Sequence, residues 1–479
     1  MGQSILINPH IQKRHAVACR FFSYSAVFSH IFLKKEVCRT EKISLFTEYL
    51  SRLLWGPALL ILVLGAGAFF TAATGFFPIR KAGFIIKSTF GRIFKNKSAF
   101  AATATALGAT VGTGNIIGVA SAVAIGGPGA VLWMWVGAFF GMMLKFAEAA
   151  LAVKYKGGAD IYIQKAFGGK SISVLWCVCC VLASFGGGNM VQTYSAGAAF
   201  KNAFGFSSAA VGAVIALLTA AVIFFGAKAV TRTSAAIVPV MACFYVIGCF
   251  AVLFICRQNI VPALKSIFYS AFEPIAIGGG TGGLLLSDAL KTGITRGTFT
   301  HEAGMGSAAF AHAESEETDP LRQGCWGIVE VFTDTIFVCT LTALVILSAG
   351  SGAFSENSAA EIFRSFFGGA GDIFLCISMF LFALAAVIGW AFYGEKALLG
   401  ITKSKKIIVL YRILFCFAAF CGSFAAPGFI WSFTDIFNAL MMFPNLAAII
   451  ILAPEVLRIT NKPLLFGKGL LYQKQKTER

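Results

Sequence analysis

Residues 108–115 read Gly108-Ala109-Thr110-Val111-Gly112-Thr113-Gly114-Asn115, and residues 300–307 read Thr300-His301-Glu302-Ala303-Gly304-Met305-Gly306-Ser307. Each segment lies inside a long, mainly apolar stretch. Three glycines and an asparagine within eight residues weaken a helix, because each glycine costs about 1 kcal/mol relative to alanine in a helix interior. An interrupted helix frees N–H and C=O groups that hydrocarbon cannot satisfy, so at membrane depth it is tolerated only where the backbone lines a cavity or is buried in protein. The second segment again combines small and polar residues. The two lie five membrane spans apart, an odd offset that reverses chain direction. Two interrupted helices at matched positions of two inverted halves are where membrane carriers build a substrate site.

Composition sets the surroundings of these segments. The chain has 479 residues, 58% hydrophobic and 13% charged, whereas globular chains are about 25% charged. That excludes an ordinary water-soluble enzyme, and the apolar content excludes disorder. A helix crossing the hydrocarbon core needs about 20 apolar residues. By that measure eleven spans are expected, near 53–76, 98–125, 130–153, 172–197, 208–227, 234–256, 281–312, 324–350, 372–395, 406–426 and 430–455. The seventh is interrupted by Asp288, Lys291 and Arg296. The expected fold class is an all-α polytopic membrane protein, its helices packed closely at small residues.

The formal charge of +18 is explained by position. The loops 77–97, 154–171, 228–233, 313–323, 396–412 and 456–479 hold 24 Lys and Arg, and the opposite loops 198–207, 257–280 and 351–371 hold four. The positive-inside rule places the first set in the cytoplasm, with the C-terminus inside and the start of the first span outside. No basic stripe interleaved with aromatics appears, so nucleic acid is not an expected partner. Residues 1–52 carry eight Lys and Arg on the outward side. They are expected to lie outside the folded unit, with a helix over 17–33 or a targeting segment as alternatives. A start downstream of Met1 would also account for them, although no Met intervenes before Met134. The membrane domain is thus expected over 53–456, followed by a basic cytoplasmic tail at 457–479. Most of the 13 cysteines, Cys177, Cys179 and Cys180 among them, sit in apolar runs, where thiols behave as small hydrophobes.

Other polar residues within spans form a short set. Gln192 follows Gly186-Gly187-Gly188-Asn189-Met190-Val191 and is suited either to a substrate or to an interhelical hydrogen bond. Lys145 and Glu148, three apart on one helical face, are expected to pair with each other. Asp334 and Asp435 suit helix pairing or ion passage. Trp390 and Tyr393 suit a pocket wall or the membrane interface. There is no GxSxG, HExxH or paired CxxC motif, the five His are scattered, and Gly278–Gly283 lacks the Lys-Ser/Thr of a phosphate loop. No enzyme activity and no cofactor are expected.

The chain resembles the alanine or glycine:cation symporter family, the sodium:alanine symporters, from about Trp55 to Arg458. The stretches that carry the resemblance are GTGNIIG at Gly112–Gly118, GGPGAVLWMW at Gly126–Trp135, KFAEAALAVKY at Lys145–Tyr155, GNMVQ at Gly188–Gln192, EAGMGS at Glu302–Ser307 and GWAFYGEK at Gly389–Lys396. The resemblance implies a LeuT-like fold of two inverted five-helix repeats plus one helix, in the inner (plasma) membrane. It implies import of alanine (L or D) or glycine coupled to sodium. The substrate pocket would then fall on Thr113, Gly114, Asn115, Gln192, Thr300, His301, Gly304 and Trp390. The substrate carboxylate would meet N–H groups of a broken helix, and its ammonium would meet carbonyls and Gln192. A wall including Trp390 would exclude larger side chains.

Departures from the family pattern cluster at the ion site. Ala385-Ala386 stands where Ser-Thr is usual, beside carbonyls expected from Gly108 and Val111, so two oxygen ligands for a hard cation are missing. Thr300-His301 replaces Ser-Asn, Ala308 replaces Pro, Gly157–Tyr162 departs from Gly-Gly-Pro-Met-Tyr-Tyr, and Tyr194 replaces Asn. Sodium coupling is therefore expected to be weakened, lost or relocated, with His301 as a protonatable group in the same broken helix. A proton-coupled or uncoupled permease for the same substrates and a non-cycling amino acid sensor are the alternatives.

Overall fold

The computed structural model describes residues 39–272, 288–350 and 354–461, with backbone alone for 39–44. These residues are almost wholly helical, without a strand among them. The longer helices are α1 (Arg39–Leu54), α2 (Pro57–Ala73), α3 (Lys97–Thr110), α4 (Ile117–Gly126), α5 (Ala130–Tyr155), α6 (Ser171–Phe185), α7 (Val191–Phe204) and α8 (Ser208–Ile223). They continue as α9 (Ala227–Ile255), α10 (Ile260–Ala271), α11 (Asp288–His301), α12 (Pro320–Val331), α13 (Thr340–Ala349), α14 (Gly369–Ile401), α15 (Lys405–Gly422) and α16 (Pro427–Ile451).

Seven helices among the described residues are long and apolar enough to cross a membrane, or eight with the bent pair Lys97–Thr110 and Thr113–Gly126. The expected fifth span coincides with α8, which has only 16 residues. The expected tenth coincides with α15, which carries Lys405, Lys406 and Arg412. The expected seventh contains α11 and the short helix Ala309–Ala313. Its residues 281–287, like the expected helix at 17–33 and the tail beyond 461, lie outside the described residues. Length and composition alone therefore stop short of the count of eleven.

Two groups of helices enclose the centre. In one, α5 packs against α11 and α12, and α11 packs against α4. In the other, α6 and α7 pack against α14, and α6 also meets α16. The first half of the bent pair, α3, bridges the groups by packing on α12 of the first and α14 of the second, and it also lies along α9. Apolar burial gives helices no mutual attraction in lipid, so close backbone contact must hold them. Gly293 on α11 permits this, since a Cβ there would lie 2.3 Å from the carbonyl oxygen of Ala130. A Cβ at Gly327 on α12 would lie 2.7 Å from the carbonyl oxygen of Lys145.

The domain boundary expected at residue 52 falls inside α1, which packs along α16. Ser51 is buried, its hydroxyl 3.4 Å from Asp435 Oδ2, and Trp55 Nε1 donates to the Asp435 carbonyl at 2.9 Å. Residues 45–52 thus lie along α16, with Ser51 buried and Leu45, Phe46, Glu48 and Arg52 exposed. An amphipathic segment with one buried Ser was not distinguishable from a detached basic extension by charge count.

Candidate functional site

Both interruptions are real breaks, and each is held open by side chains from other helices. At the first, α3 ends at Thr110, Val111 leaves the helical region with ψ 91°, and Thr113–Asn115 form a single tight turn before α4. The two halves meet at 60°. Asn115 Oδ1 accepts the Gly112 N–H at 2.9 Å, and Asn115 Nδ2 donates to Asp334 Oδ1 at 2.7 Å. Gln192 Oε1 accepts both the N–H and the hydroxyl of Thr113, at 3.0 and 2.9 Å, while its Nε2 donates to the Gly187 carbonyl at 2.9 Å. Freed backbone polar groups are in this way satisfied without water.

The second break follows α11. Glu302 adopts the left-handed region with φ 52°, and Gly304 and Gly306 follow at 94° and 81°. Glycine takes such angles without cost, but for Glu302 they store strain that the surroundings must hold. The Gly304 and Gly306 N–H groups donate to Glu148 Oε1 at 2.9 and 3.1 Å. Asn445 Nδ2 donates to the same oxygen at 2.7 Å and to the Gly304 carbonyl at 2.9 Å. Glu302 itself accepts the Trp390 indole N–H at Oε1 (2.9 Å) and the Ser307 hydroxyl at Oε2 (2.6 Å).

A cavity of about 10 Å³ lies between the breaks, lined by Ala109, Thr110, Gly114, Gly187, Gln192, Phe299, Thr300, Glu302, Trp390 and Asn438. That is room for about one water molecule and too little for an amino acid, and in that sense the site is closed. Phe299 packs on Trp431 with ring centroids 5.4 Å apart, and the Arg296 guanidinium lies over Trp431 at 5.0 Å, roofing the cavity on the side of α11.

Of the expected substrate residues, Gly114, Gln192, Thr300 and Trp390 line this cavity. Thr113 and Asn115 lie beside it as anchors of the first break, and Gly304 belongs to the Glu148 network. His301 points elsewhere, its Nδ1 accepting the Ala303 N–H at 3.0 Å and its ring facing Gly141 on α5. Helical rotation of about 100° per residue turns it from the face that carries Thr300. Gln192 combines both of its readings: it lines the cavity, and its amide ties the first break to α6–α7. Tyr393 is buried near Trp390, with ring centroids 5.6 Å apart, but does not line the cavity.

Of the expected ion positions Gly108, Val111, Ala385 and Ala386, the first and third come together. A Cβ on Gly108 would lie 3.8 Å from both the Cβ and the carbonyl oxygen of Ala385, and one on Gly389 would strike Ala109 Cβ at 2.7 Å. Ala385 and Ala386 are buried there without side-chain oxygen. A richer oxygen cluster sits nearby. Thr335 Oγ1 donates to Asp334 Oδ2 at 2.7 Å and lies 3.1 Å from Thr300 Oγ1, and Asn115 meets the other Asp334 oxygen. Asp334 falls in a widened π-helical stretch, Phe332–Cys339, joining α12 to α13.

The expected Lys145–Glu148 pair is not formed. Lys145 Nζ lies 3.1 Å from Glu330 Oε1, while Glu148 is occupied by the broken backbone. Proximity on one helix was outweighed by partners that meet each group head-on from neighbouring elements. Glu330 also contacts His312 Nε2 at 3.0 Å, whose Nδ1 accepts from Gln323 at 2.8 Å.

Sequence reasoning missed Phe299, Asn438 and, above all, Glu302 as cavity residues. A carboxylate inside an apolar span is itself a signal, and it stood in a quoted motif. The π-helical stretch Gly186–Met190 was signalled only as a glycine run.

Two opposed broken helices around a closed central cavity, gripped by two helix groups, define a membrane carrier with a LeuT-like fold. The solved structure of MhsT in complex with L-phenylalanine agrees in fold, with a TM-score of 0.51 at 15% identity over 75% of this chain and 97% of that one. The chain belongs to the sodium:alanine symporter family, whose family model matches residues 40–475. Among similar proteins, the sodium/alanine symporter AgcS of Methanococcus maripaludis is 39% identical over 430 residues, covering 85% of this chain and 94% of its own. The probable sodium/glutamine symporter GlnT of Bacillus subtilis is 34% identical, covering 84% and 87%. The protein is thus a multi-pass membrane transporter and not an enzyme.

Proposed function

We propose that the protein imports alanine (L or D) or glycine with sodium across the inner membrane by alternating access, its C-terminus cytoplasmic and its first span starting outside. The observation that carries this reading is the closed cavity between the two breaks, with oxygen-rich side chains on one flank and Trp390 on another. Gly114, in the turn that leads into α4, offers a backbone N–H to the substrate carboxylate near the positive end of that helix dipole. Glu302, the acidic residue of the lining, offers an acceptor to its ammonium. The cavity is so small that admitting even alanine requires the helices to part slightly, which favours a methyl or hydrogen side chain over any larger one.

The coupling ion fits poorly at Ala385 and Ala386, where only backbone oxygen remains. The Asp334 carboxylate and the hydroxyls of Thr300 and Thr335 offer a hard cation a better ligand set, with the Asn115 amide N–H₂ steadying the carboxylate. Sodium coupling is on this reading relocated to that cluster. The charge split of 24 against four on opposite loops supports the orientation.

The test is uptake of labelled L-alanine, D-alanine and glycine into proteoliposomes, with and without an inward sodium gradient and at two pH values. Sodium-dependent accumulation is expected. Binding without accumulation would make the protein a sensor, and uptake driven by a pH gradient alone would replace sodium with the proton.

A further inference from the structure

We propose that Glu302 is a positioning residue that sets the upper size limit of the transported side chain by holding the Trp390 indole in one rotamer. The inference rests on the cavity being the amino acid site.

Trp390 is clamped from two sides. One side of its ring base lies flush on Gly188, where a Cβ would stand 2.0 Å from Cγ and 2.3 Å from Cβ of the tryptophan. Its pyrrole edge is fixed by the 2.9 Å hydrogen bond from Nε1 to Glu302 Oε1. Without that bond, the packed base alone no longer fixes the rotation of the ring plane. Glu302 is in turn held by Ser307 through its other oxygen, and its backbone sits in the left-handed region. A strained residue persists where its surroundings over-determine it, and such residues concentrate at ligand sites. Both side chains line the cavity and are nearly fully buried.

The geometry also gives the bond a second consequence. Glu302 belongs to the break after α11, in the group built on α5, whereas Trp390 belongs to α14 in the opposite group. Closing the two groups makes the bond and seats the indole at once, so size is read as the site closes.

The conservative variant separates this from the simpler role of a counter-charge for the substrate ammonium. In Glu302→Gln the amide oxygen still accepts from Trp390 and the amide N–H₂ donates to Ser307, so the indole stays seated while the charge is gone. In Glu302→Ala the indole is released. The experiment is competition by 2-aminobutyrate, one methylene larger than alanine, against labelled L-alanine uptake in proteoliposomes.

The wild type is expected to prefer alanine by at least about tenfold, the usual worth of a methylene in a fitted pocket. Glu302→Ala should bring the two within about threefold, and Glu302→Gln should retain the wild-type ratio. Trp390→Phe lacks the N–H but also removes ring volume, so a relaxed ratio follows from it on either account. Ser307→Ala, which frees the other Glu302 oxygen and lies outside the cavity lining, should shift the ratio in the same direction as Glu302→Ala and serves if that variant fails to fold. An unchanged ratio in Glu302→Ala or Ser307→Ala overturns the proposal. So does an equal loss of alanine affinity in Glu302→Gln and Glu302→Ala with the ratio intact, which assigns the counter-charge role instead. A wild type that accumulates no alanine would overturn the reading of the cavity, and this inference with it.

Discussion

Lys145 and Glu330 form an ion pair at 3.1 Å with both side chains fully buried, linking α5 to α12. Removing one partner strands a charge in low dielectric, at a cost of about 3–5 kcal/mol. Lys145→Met or Glu330→Gln alone should lower the melting temperature of the detergent-purified protein by several degrees. The Lys145→Met/Glu330→Met double variant should recover most of that loss, because the desolvation penalty disappears with the pair. A double variant no more stable than the singles would mean that the charges, and not their mutual compensation, are required.

Asp334→Asn should raise the sodium concentration for half-maximal alanine uptake at least about tenfold, since a charge-assisted contact is worth roughly 1.5–3 kcal/mol. The measurement is a sodium titration of uptake at fixed alanine. Unaltered sodium dependence would remove the cluster of Asn115, Thr300, Asp334 and Thr335 as the ion site.

Ala385→Ser/Ala386→Thr returns two hydroxyls beside Gly108. Buried without a partner, they cost about 1–3 kcal/mol, and a bound cation would offset that cost. Sodium should therefore raise the melting temperature of the double variant by more than it raises that of the wild type. Equal shifts would show that no cation reaches these positions.

Gly188→Ala should reduce alanine uptake by more than tenfold, because its methyl would lie 2.0 Å from Trp390 Cγ and push the indole into a cavity of about 10 Å³. Uptake per folded carrier, normalised to monodisperse protein on size exclusion, is the readout. Near-normal uptake would mean that the indole moves freely away from Gly188.

The breaks at Gly108–Asn115 and Thr300–Ser307 were readable because glycine and polar residues conflict with a membrane helix at the level of local propensity. Which groups fill the broken ends was not. Glu148, Gln192 and Asn445 come from elements far away in sequence, and only packing decides that Glu148 meets Gly304 and Gly306 while Lys145 meets Glu330. The same limit explains His301. A polar residue at a break points at the cavity or away from it according to helix phase, and His301, the last residue of α11, is turned by about 100° from Thr300. The π-helical stretch Phe332–Cys339 carries no glycine or proline to announce it, so the placement of Asp334 against Asn115 was open. Helix α1 was misassigned for a different reason: topology was judged from charge, which is silent on a segment that docks sideways on a later helix.

That docking has a bearing on biosynthesis. Trp55 grips the main chain at Asp435 across 380 residues of sequence, which at about 5–20 residues per second takes about 20–75 s to translate. Helix α1, the first among the described residues, is therefore made long before α16, the helix it packs along. Until α16 emerges, the Ser51 hydroxyl can turn back onto a carbonyl of its own helix, while the Trp55 indole N–H lacks its final acceptor. A chain that stalls before residue 435 leaves α1 without the contacts that hold it in the finished carrier.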